Sequence, residues 1–464
     1  MKKFNIFLTI FCLQMLCGGL IFSTPGFGQV WYVDSAAPLG GDGKSWSSAF
    51  RDIQSAIDAA SSHWIKCFGP PDQIKVRAGT YYVTNQIEVN KYVSIIGGYD
   101  SEGHWDWKNN PTIIDGQHIT RCLHITSPCI ISGFIIKNGQ HDHYGGAVMI
   151  ESTPSYCATL DYYHVPIIRN CKFTENTAPS GGAIFDYRSD ARIRDSLFEN
   201  NSAGLGGALF HSASGPNIER CIFSNNRVDS DLAFGGAIYG TGHNLDTDQY
   251  TRITNCLFVD NESTTWGGAI AYHQVYPKIV NCTFTGNVAA VGGGAFYGFI
   301  HSEAPKLWNS IFWGDEPDEL YIVTADPYFD VRYCDIEGGW TGAGSNNIAV
   351  DPEFIGGSDY RLSLNSPCID AGANYLAPPD DLNGAPRPID GNGDGIAITD
   401  IGAYEHPMPG DLDGNNLIDG MDIYRYAIIF IDDYYNPEGD LNGDLKVDEE
   451  DLRIFASFFG TIVQ

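Results

Sequence analysis

One motif recurs through the middle of the chain and restricts its fold more than any bulk property does. It reads NCKFTEN at residues 170–176, DSLFENN at 195–201, RCIFSNN at 220–226, NCLFVDN at 255–261 and NCTFTGN at 281–287, with a sixth copy, NSIFWGD, starting at Asn309. Each of the first five is followed by a glycine pair and an alanine, beginning at Gly181, Gly206, Gly235, Gly267 and Gly293; an earlier GGAV begins at Gly145. From Phe173 to Phe312 five intervals span 139 residues, a mean near 28. A propeller blade needs about 40–45 residues, and the leucine columns of a leucine-rich repeat are missing.

Within each of the five copies an aliphatic residue stands five positions before the phenylalanine (Ile168, Ile193, Ile218, Ile253, Ile279), and Cys or Ser stands two before it. Short strands interrupted by Asn and Gly fit that spacing. The solution that buries Ile, Cys and Phe in columns is an all-β solenoid, a right-handed single-stranded parallel β-helix with one repeat per turn. Its rungs stack about 4.8 Å apart and pair their backbones along the axis. Paired asparagines at the strand corners suit bent backbone and side-chain amide ladders. Cys171, Cys221, Cys256 and Cys282 hold one repeat position, so the spacing predicts a column of buried thiols more than a disulfide framework.

GGAI combined with FxxN resembles the repeats of polymorphic outer-membrane adhesins and of secreted β-helix proteins, over residues 130–315. Upstream, WYVDSAAPLGGDGKSWSSAFRDIQSAIDAA is similar to the opening segment of pectate-lyase-like β-helix proteins. That resemblance implies an N-terminal strand and a capping helix over 29–73, with Phe50, Ile53 and Ile57 on one face. Downstream, DPEFIGGSDYRLSLNSPCIDAG and DIGAYE resemble the closing segment of the same secreted proteins. The expectation is a coil of roughly ten turns over 74–376, then a closing segment and linker over 377–409.

Lys2 and Lys3 precede an apolar run from Phe4 to Phe22, with Gly26 and Gly28 near a cut at Gln29, which reads as a secretory signal over 1–28. The expected location is secreted or extracellular, with attachment at the cell surface. No later apolar stretch reaches the ~18 residues of a membrane span, so no transmembrane segment is expected. The chain's 57 acidic against 27 basic residues leave a charge of −30, which argues against nucleic acid as a partner.

Residues 410–464 hold 13 Asp and Glu against 3 Lys and Arg, a net of −10 in 55 residues. The acids are patterned. Asp411, Asp413, Asn415, Asp419 and Asp422 fall at positions 1, 3, 5, 9 and 12 of a loop, and Asp440, Asn442, Asp444, Asp448 and Asp451 repeat it 29 residues later. Oxygen ligands at that spacing suit Ca2+. Each loop opens an apolar-faced helix, IYRYAIIF or LRIFASFF, and two half-EF-hands in tandem resemble a dockerin. The resemblance implies a small α-helical module, a cohesin-type receptor as partner, and recognition through Gly420, Met421, Glu449 and Glu450. At position 6, Leu445 stands where the family has glycine, so the second loop is expected to bind more weakly. A further acidic run, Asp390, Asn392, Asp394 and Asp400, is one residue short of the EF-hand spacing and is a third candidate loop.

Long lateral faces of β-helices match extended sugar chains, an expectation by fold analogy. Two residues after each GGA stand Met149, Phe185, Phe210, Tyr239, Ala271 and Tyr297, which strand alternation turns outward. Phe185, Phe210, Tyr239, Tyr297 and Arg188 are therefore the candidate substrate-binding residues, and Asp186, His211 and His273 beside them the candidate catalytic set. A covering of the rings by insertions, as a satellite core, stays open beside this reading. The paired-Asp, GHG and RxK elements of polygalacturonases and the WxDH and RxPxxR elements of pectate lyases are absent. Two functions follow: an exported protein that binds or degrades polysaccharide, as a lyase or glycoside hydrolase, or a non-catalytic surface adhesin or structural envelope protein.

Overall fold

The computed structural model describes residues 28–61, 70–151, 155–157, 162–242, 250–300, 305–324, 329–408, 410–411, 420–431, 446–447 and 449–458. Residues 1–27 of the expected signal segment and the ligand positions Asp413, Asn415, Asp419, Asp440, Asn442, Asp444 and Asp448 lie outside them.

One turn of the coil illustrates the rest: strand a, Arg252–Thr254; strand b, Leu257–Val259; strand c, Glu262–Ser263; and strand d, Ile270–His273. Each pairs in parallel with its equivalents one turn away, and the d strands form a nine-stranded sheet from Ile87–Val89 to Leu320–Thr324. The chain bends where residues adopt left-handed backbone: Asn170, Asp195, Arg220, Asn255, Asn281 and Asn309 between a and b, and Glu175, Asn200, Asn225 and Asp260 between b and c. Asparagine dominates the first corner because its short amide tolerates positive φ. The third corner takes the glycine pair. Gly235 has φ +68°, and a Cβ on Gly236 would lie 2.0 Å from the Gly268 carbonyl oxygen of the next turn. The motif thus needs its first glycine for backbone conformation and its second for contact between turns.

Inside, the repeat phenylalanines stack face to face. Phe173, Phe198, Phe223, Phe258, Phe284 and Phe312 follow one another at 4.6–4.9 Å with ring planes within 13°, all buried. Beside them runs an amide ladder. Asn201 Nδ2 donates to the Phe173 carbonyl (3.0 Å) and to Asn226 Oδ1 (3.0 Å), while the Asn201 backbone N–H donates to the same Asn226 oxygen at 3.1 Å. The pattern repeats from Asn176 through Asn226, Asn261 and Asn287, and Asp315 ends it by accepting both Asn287 donors. The cysteines form a shorter ladder: Cys256 Sγ accepts from the Cys221 backbone N–H and Cys282 Sγ from that of Cys256, both at 3.4 Å. The eight cysteines with described side chains are all buried free thiols, among them Cys171, Cys221, Cys256 and Cys282 of the predicted column.

The coil begins earlier and closes earlier than its sequence suggests. Val30–Val33 pairs in parallel with residues 73–76, because Trp31 and Val33 present the same buried alternation as a rung. The last parallel pairings join Val331 and Arg332 to Gly344 and Ser345 and Asp335 to Ile348, and Phe354–Gly356 with Asp359–Leu362 is an antiparallel hairpin. Helix α1, Ile53–Ala59, is N-capped by Asp52 and buries Ile53, Ala56 and Ile57 over the open first turn. The closing segment doubles back along the coil as a strap. Asn309 is bracketed by Ala373, Asn281 Nδ2 donates to the Asp400 and Gly402 carbonyls, Asn255 Nδ2 to the Asp380 carbonyl, and Arg220 pairs with Asp380 at 2.8 Å. Four consecutive turns are tied together by it.

In the tail, α2 is Gly420–Ile431 and α3 is Glu449–Phe458. Tyr426 and Phe455, 29 residues apart and equivalent in the two repeats, stack at 4.6 Å in a cluster that includes Ile389 and Met408. The helices therefore pack on each other and beside the closing segment.

The ladder's end carries charge. Asp315 and Glu319 are buried, Glu319 Oε1 accepts the Asp315 backbone N–H at 3.1 Å, and Asp315 Oδ2 and Glu319 Oε2 have no hydrogen-bond partner. Burial first, and then Asp315's charge, pushes the Glu319 carboxyl up; burial likewise raises Asp315. Raised carboxyl pKa values mean the folded state holds protons the unfolded state releases, so stability is greatest below the unfolded values near pH 4 and falls as pH rises through the folded ones. The melting temperature should fall from pH 5 to pH 9, and Glu319→Gln should flatten that fall; an unchanged slope would show that Glu319 does not carry it.

Candidate functional site

The outer surface of the d strands is built by simple alternation. In Ile184–Tyr187, Ile184 points into the core, Phe185 out, Asp186 in and Tyr187 out; the register then aligns Asp186 with His211 and Tyr187 with Ser212. The expected outward rings do lie outside the coil, but they are covered. Met149, Phe185, Phe210, Tyr239, Ala271 and Tyr297 form a second apolar cluster, and Phe185, Phe210, Tyr239 and Tyr297 keep only 6–8% exposure. Free ring faces for sugar are not presented by these four residues.

Their cover is itself aromatic. The residues immediately before the glycine pairs, among them Tyr144, Leu205, Phe234 and Trp266, fold over the ring column from the c–d corner. Tyr144 sits 4.5 Å from Phe185, Phe234 5.3 Å from Tyr239, and Trp266 5.0 Å from both Tyr297 and Tyr321. The result is a ribbon along the coil axis from Tyr144 to Tyr321, whose end rings are 46% and 37% exposed and whose middle, Phe234 and Trp266, is half-buried. Sequence reasoning passed over these residues, although a large apolar side chain before GG in four of six copies was a readable signal. Burial, and then Tyr297, raises the Tyr239 hydroxyl to about 12, so that covered ring stays uncharged at physiological pH.

The expected catalytic set does not assemble. Asp186 and His211 are fully buried inside the coil, whereas His273 is exposed outside it, its ring 4.8 Å from Phe299. Alternation is the reason: the same strand that turns Phe185 out turns Asp186 in. Ser214 Oγ donates to Asp186 Oδ2 at 2.6 Å, Ser189 Oγ to Oδ1, and His211 Nδ1 donates to the Ser214 carbonyl at 3.0 Å. Burial raises Asp186 to about 6 and lowers His211 to about 4, so the imidazole is neutral. Its Nε2 and the Tyr272 hydroxyl, facing the bare Gly240, are buried without partners. This is a polar inclusion in the core, closed to a polymer. Arg188 is exposed at the next corner, its guanidinium 5.2 Å from the Tyr187 ring.

Among the described residues no group of three or more His, Cys, Asp or Glu is gathered to hold a metal ion. In the 390–400 run, Asp390 accepts the Asp394 and Gly395 backbone N–H groups. Asp400 is buried against the Asp370 and His406 N–H groups and does not join it. Of the tail's expected ligands, Asp411, Asp422 and Asp451 are described and buried, the last two completely. No described helix is long and apolar enough to cross a membrane.

Residues 134–303 match the family described as right handed beta helix region. Among solved structures, a crystal structure of pectate lyase Pel9A is similar at 12% identity with a TM-score of 0.44, covering 82% of this chain and 97% of that one. No curated protein matches the sequence.

Because Asp186 and His211 are sealed in the core, Asp186→Asn and His211→Ala should leave glycan binding unchanged while lowering stability by about 1–3 kcal/mol through broken buried hydrogen bonds. Urea unfolding beside a binding titration checks this; lost binding in a protein of unchanged stability would return these residues to the surface.

Proposed function

We propose that the chain is an exported polysaccharide-binding protein whose coil holds extended glycan along its outer surface, without cleaving it, and whose tail is a calcium-dependent dockerin-like module. The observation that carries the reading is the aromatic ribbon from Tyr144 to Tyr321. Rings arrayed along a straight axis offer stacking faces to successive sugars, and partly exposed Trp and Tyr are the residues that dominate recognition energy. Binding without cleavage is favoured because the candidate acid and base, Asp186 and His211, face the core.

Full-length protein titrated with a panel of neutral and uronate glycans tests this. Trp266→Ala with Tyr321→Ala should raise Kd roughly tenfold to thirtyfold, with no unsaturated or reducing-end products from either protein. Equal binding by the double variant, or turnover of any glycan, would defeat the reading.

Calcium would be held by Asp411, Asp413, Asn415, Asp419 and Asp422 in one loop and by Asp440, Asn442, Asp444, Asp448 and Asp451 in the other. The described members fit a hard cation: all are carboxylates, buried, and Asp422 and Asp451 occupy matching places in the first turns of α2 and α3. A bound cation supplies the positive charge that offsets repulsion among the tail's 13 acidic groups. The module's partner on this reading is a cohesin-type receptor, at the exposed Met421 side of α2. Chelator added to the full chain should speed tryptic cleavage within 410–464 and release calorimetrically detectable calcium; no calcium heat and unchanged proteolysis would leave an acidic spacer.

A further inference from the structure

On the outer face of the a strands, positive charge accumulates in register on a chain of net charge −30. One outward row reads Ile167, Arg192, Asn217, Arg252, Lys278, Lys306, Asp330 on consecutive turns. The neighbouring row reads Arg169, Arg194, Glu219, Thr254, Val280, Trp308, Arg332. Seven cations thus face out here, against two carboxylates. Both carboxylates are engaged: Glu219 with Arg220 at 3.0 Å, and Asp330 with Arg332 at 2.5 Å and the Trp308 indole N–H at 3.2 Å.

Arg252, Lys278 and Lys306 stand directly above one another, about 4.8 Å apart in a parallel ladder, where like charges destabilise. No described carboxylate comes within ion-pair distance of them. Lys278 is held below its ordinary value by burial, then by Arg252 and Lys306, with no acidic group acting in the opposite sense. The ring of Trp308 lies 4.6 Å from the Lys278 ammonium and 5.7 Å from that of Lys306. With 57 acidic residues in the chain, an acid at one of these positions would have relieved the repulsion. Asp330, the next position after Lys306 in the row, is turned to Arg332 and Trp308, so the three cations keep no ion pair among the described residues, with Arg252 and Lys306 exposed along the axis.

We infer that this face binds a linear acidic polysaccharide, carboxylated or sulfated, along the coil axis, with Arg252, Lys278 and Lys306 each meeting one acidic group and Trp308 flanking the chain. The net negative charge does not oppose this at physiological salt, because charges beyond a Debye length of about 8 Å are screened while the row acts at contact. Nucleic acid fits less well: single-strand binders present several stacking platforms, and this face has one ring, already occupied by two ammonium groups. The surface is separate from the aromatic ribbon and does not depend on it.

Full-length protein is titrated with polygalacturonate, dextran sulfate, neutral dextran and single-stranded DNA at two salt concentrations. Binding to at least one acidic glycan, weakening with salt and absent for dextran, is expected. Arg252→Gln, Lys278→Gln and Lys306→Gln combined should raise Kd about tenfold or more and flatten the salt dependence. Because the triple substitution removes mutual repulsion, its melting temperature should be equal or higher, which separates lost binding from lost folding. Asn217→Arg, which fills the gap in the row, should tighten binding. The Trp266→Ala, Tyr321→Ala variant should retain it. Undiminished binding by the triple variant, equal binding of dextran, tighter binding of DNA than of either acidic glycan, or loss of binding in the ribbon variant would each overturn the assignment.

Discussion

A buried side-chain amide, repeated at Asn176, Asn201, Asn226, Asn261 and Asn287, is the interaction on which the rest of this architecture depends. Each interior member reaches a backbone carbonyl one turn back and an amide oxygen one turn ahead, so each asparagine joins three turns. A shift of register would leave buried donors and acceptors unpaired on every rung, at a cost of about 1–3 kcal/mol for each group. The register is therefore fixed at this corner, and every other column inherits it. The stacked phenylalanines, the thiol ladder, the aromatic ribbon and the cationic row are four readings of one alignment.

The sides of the coil are then free to differ. On the b side, the returning strap covers Thr283 and Ile311 and ties four turns together through Arg220 and the corner residues Asn255, Asn281 and Asn309. On the d side the ribbon lies open along the axis. On the a side basic groups stack in register. Asp186 and His211, linked through Ser214, are closed to solvent and take no part in these surfaces. A long, straight, laterally differentiated rod is suited to holding a polymer along its length, and less to enclosing a small substrate.

Much of this was legible in the repeat. The phenylalanine and cysteine columns and the buried isoleucines follow from spacing alone, because equivalent positions must stack when each turn is one repeat. The capping role of Ile53 and Ile57 was legible too. Three features were not. The outward placement of Phe185 carried the consequence that Asp186 faces in, and a choice of acid and base by sequence proximity missed it. The cover over the rings comes from residues before the glycine pair, which one-dimensional alternation treats as corner residues. The strap joins positions 160 apart in sequence, as Arg220 and Asp380 do, and no local pattern encodes such a contact.

The central claim is that the outer surface recognises glycan as an extended chain, one turn at a time. Affinity measured by calorimetry across a size series of one glycan that binds, from disaccharide to dodecasaccharide, tests it most directly. Lateral binding predicts that affinity climbs steadily with length and levels off only once the oligomer spans the turns between Tyr144 and Tyr321, or those between Arg192 and Lys306. Affinity that is already maximal for a di- or trisaccharide would mean a local pocket and would contradict the account.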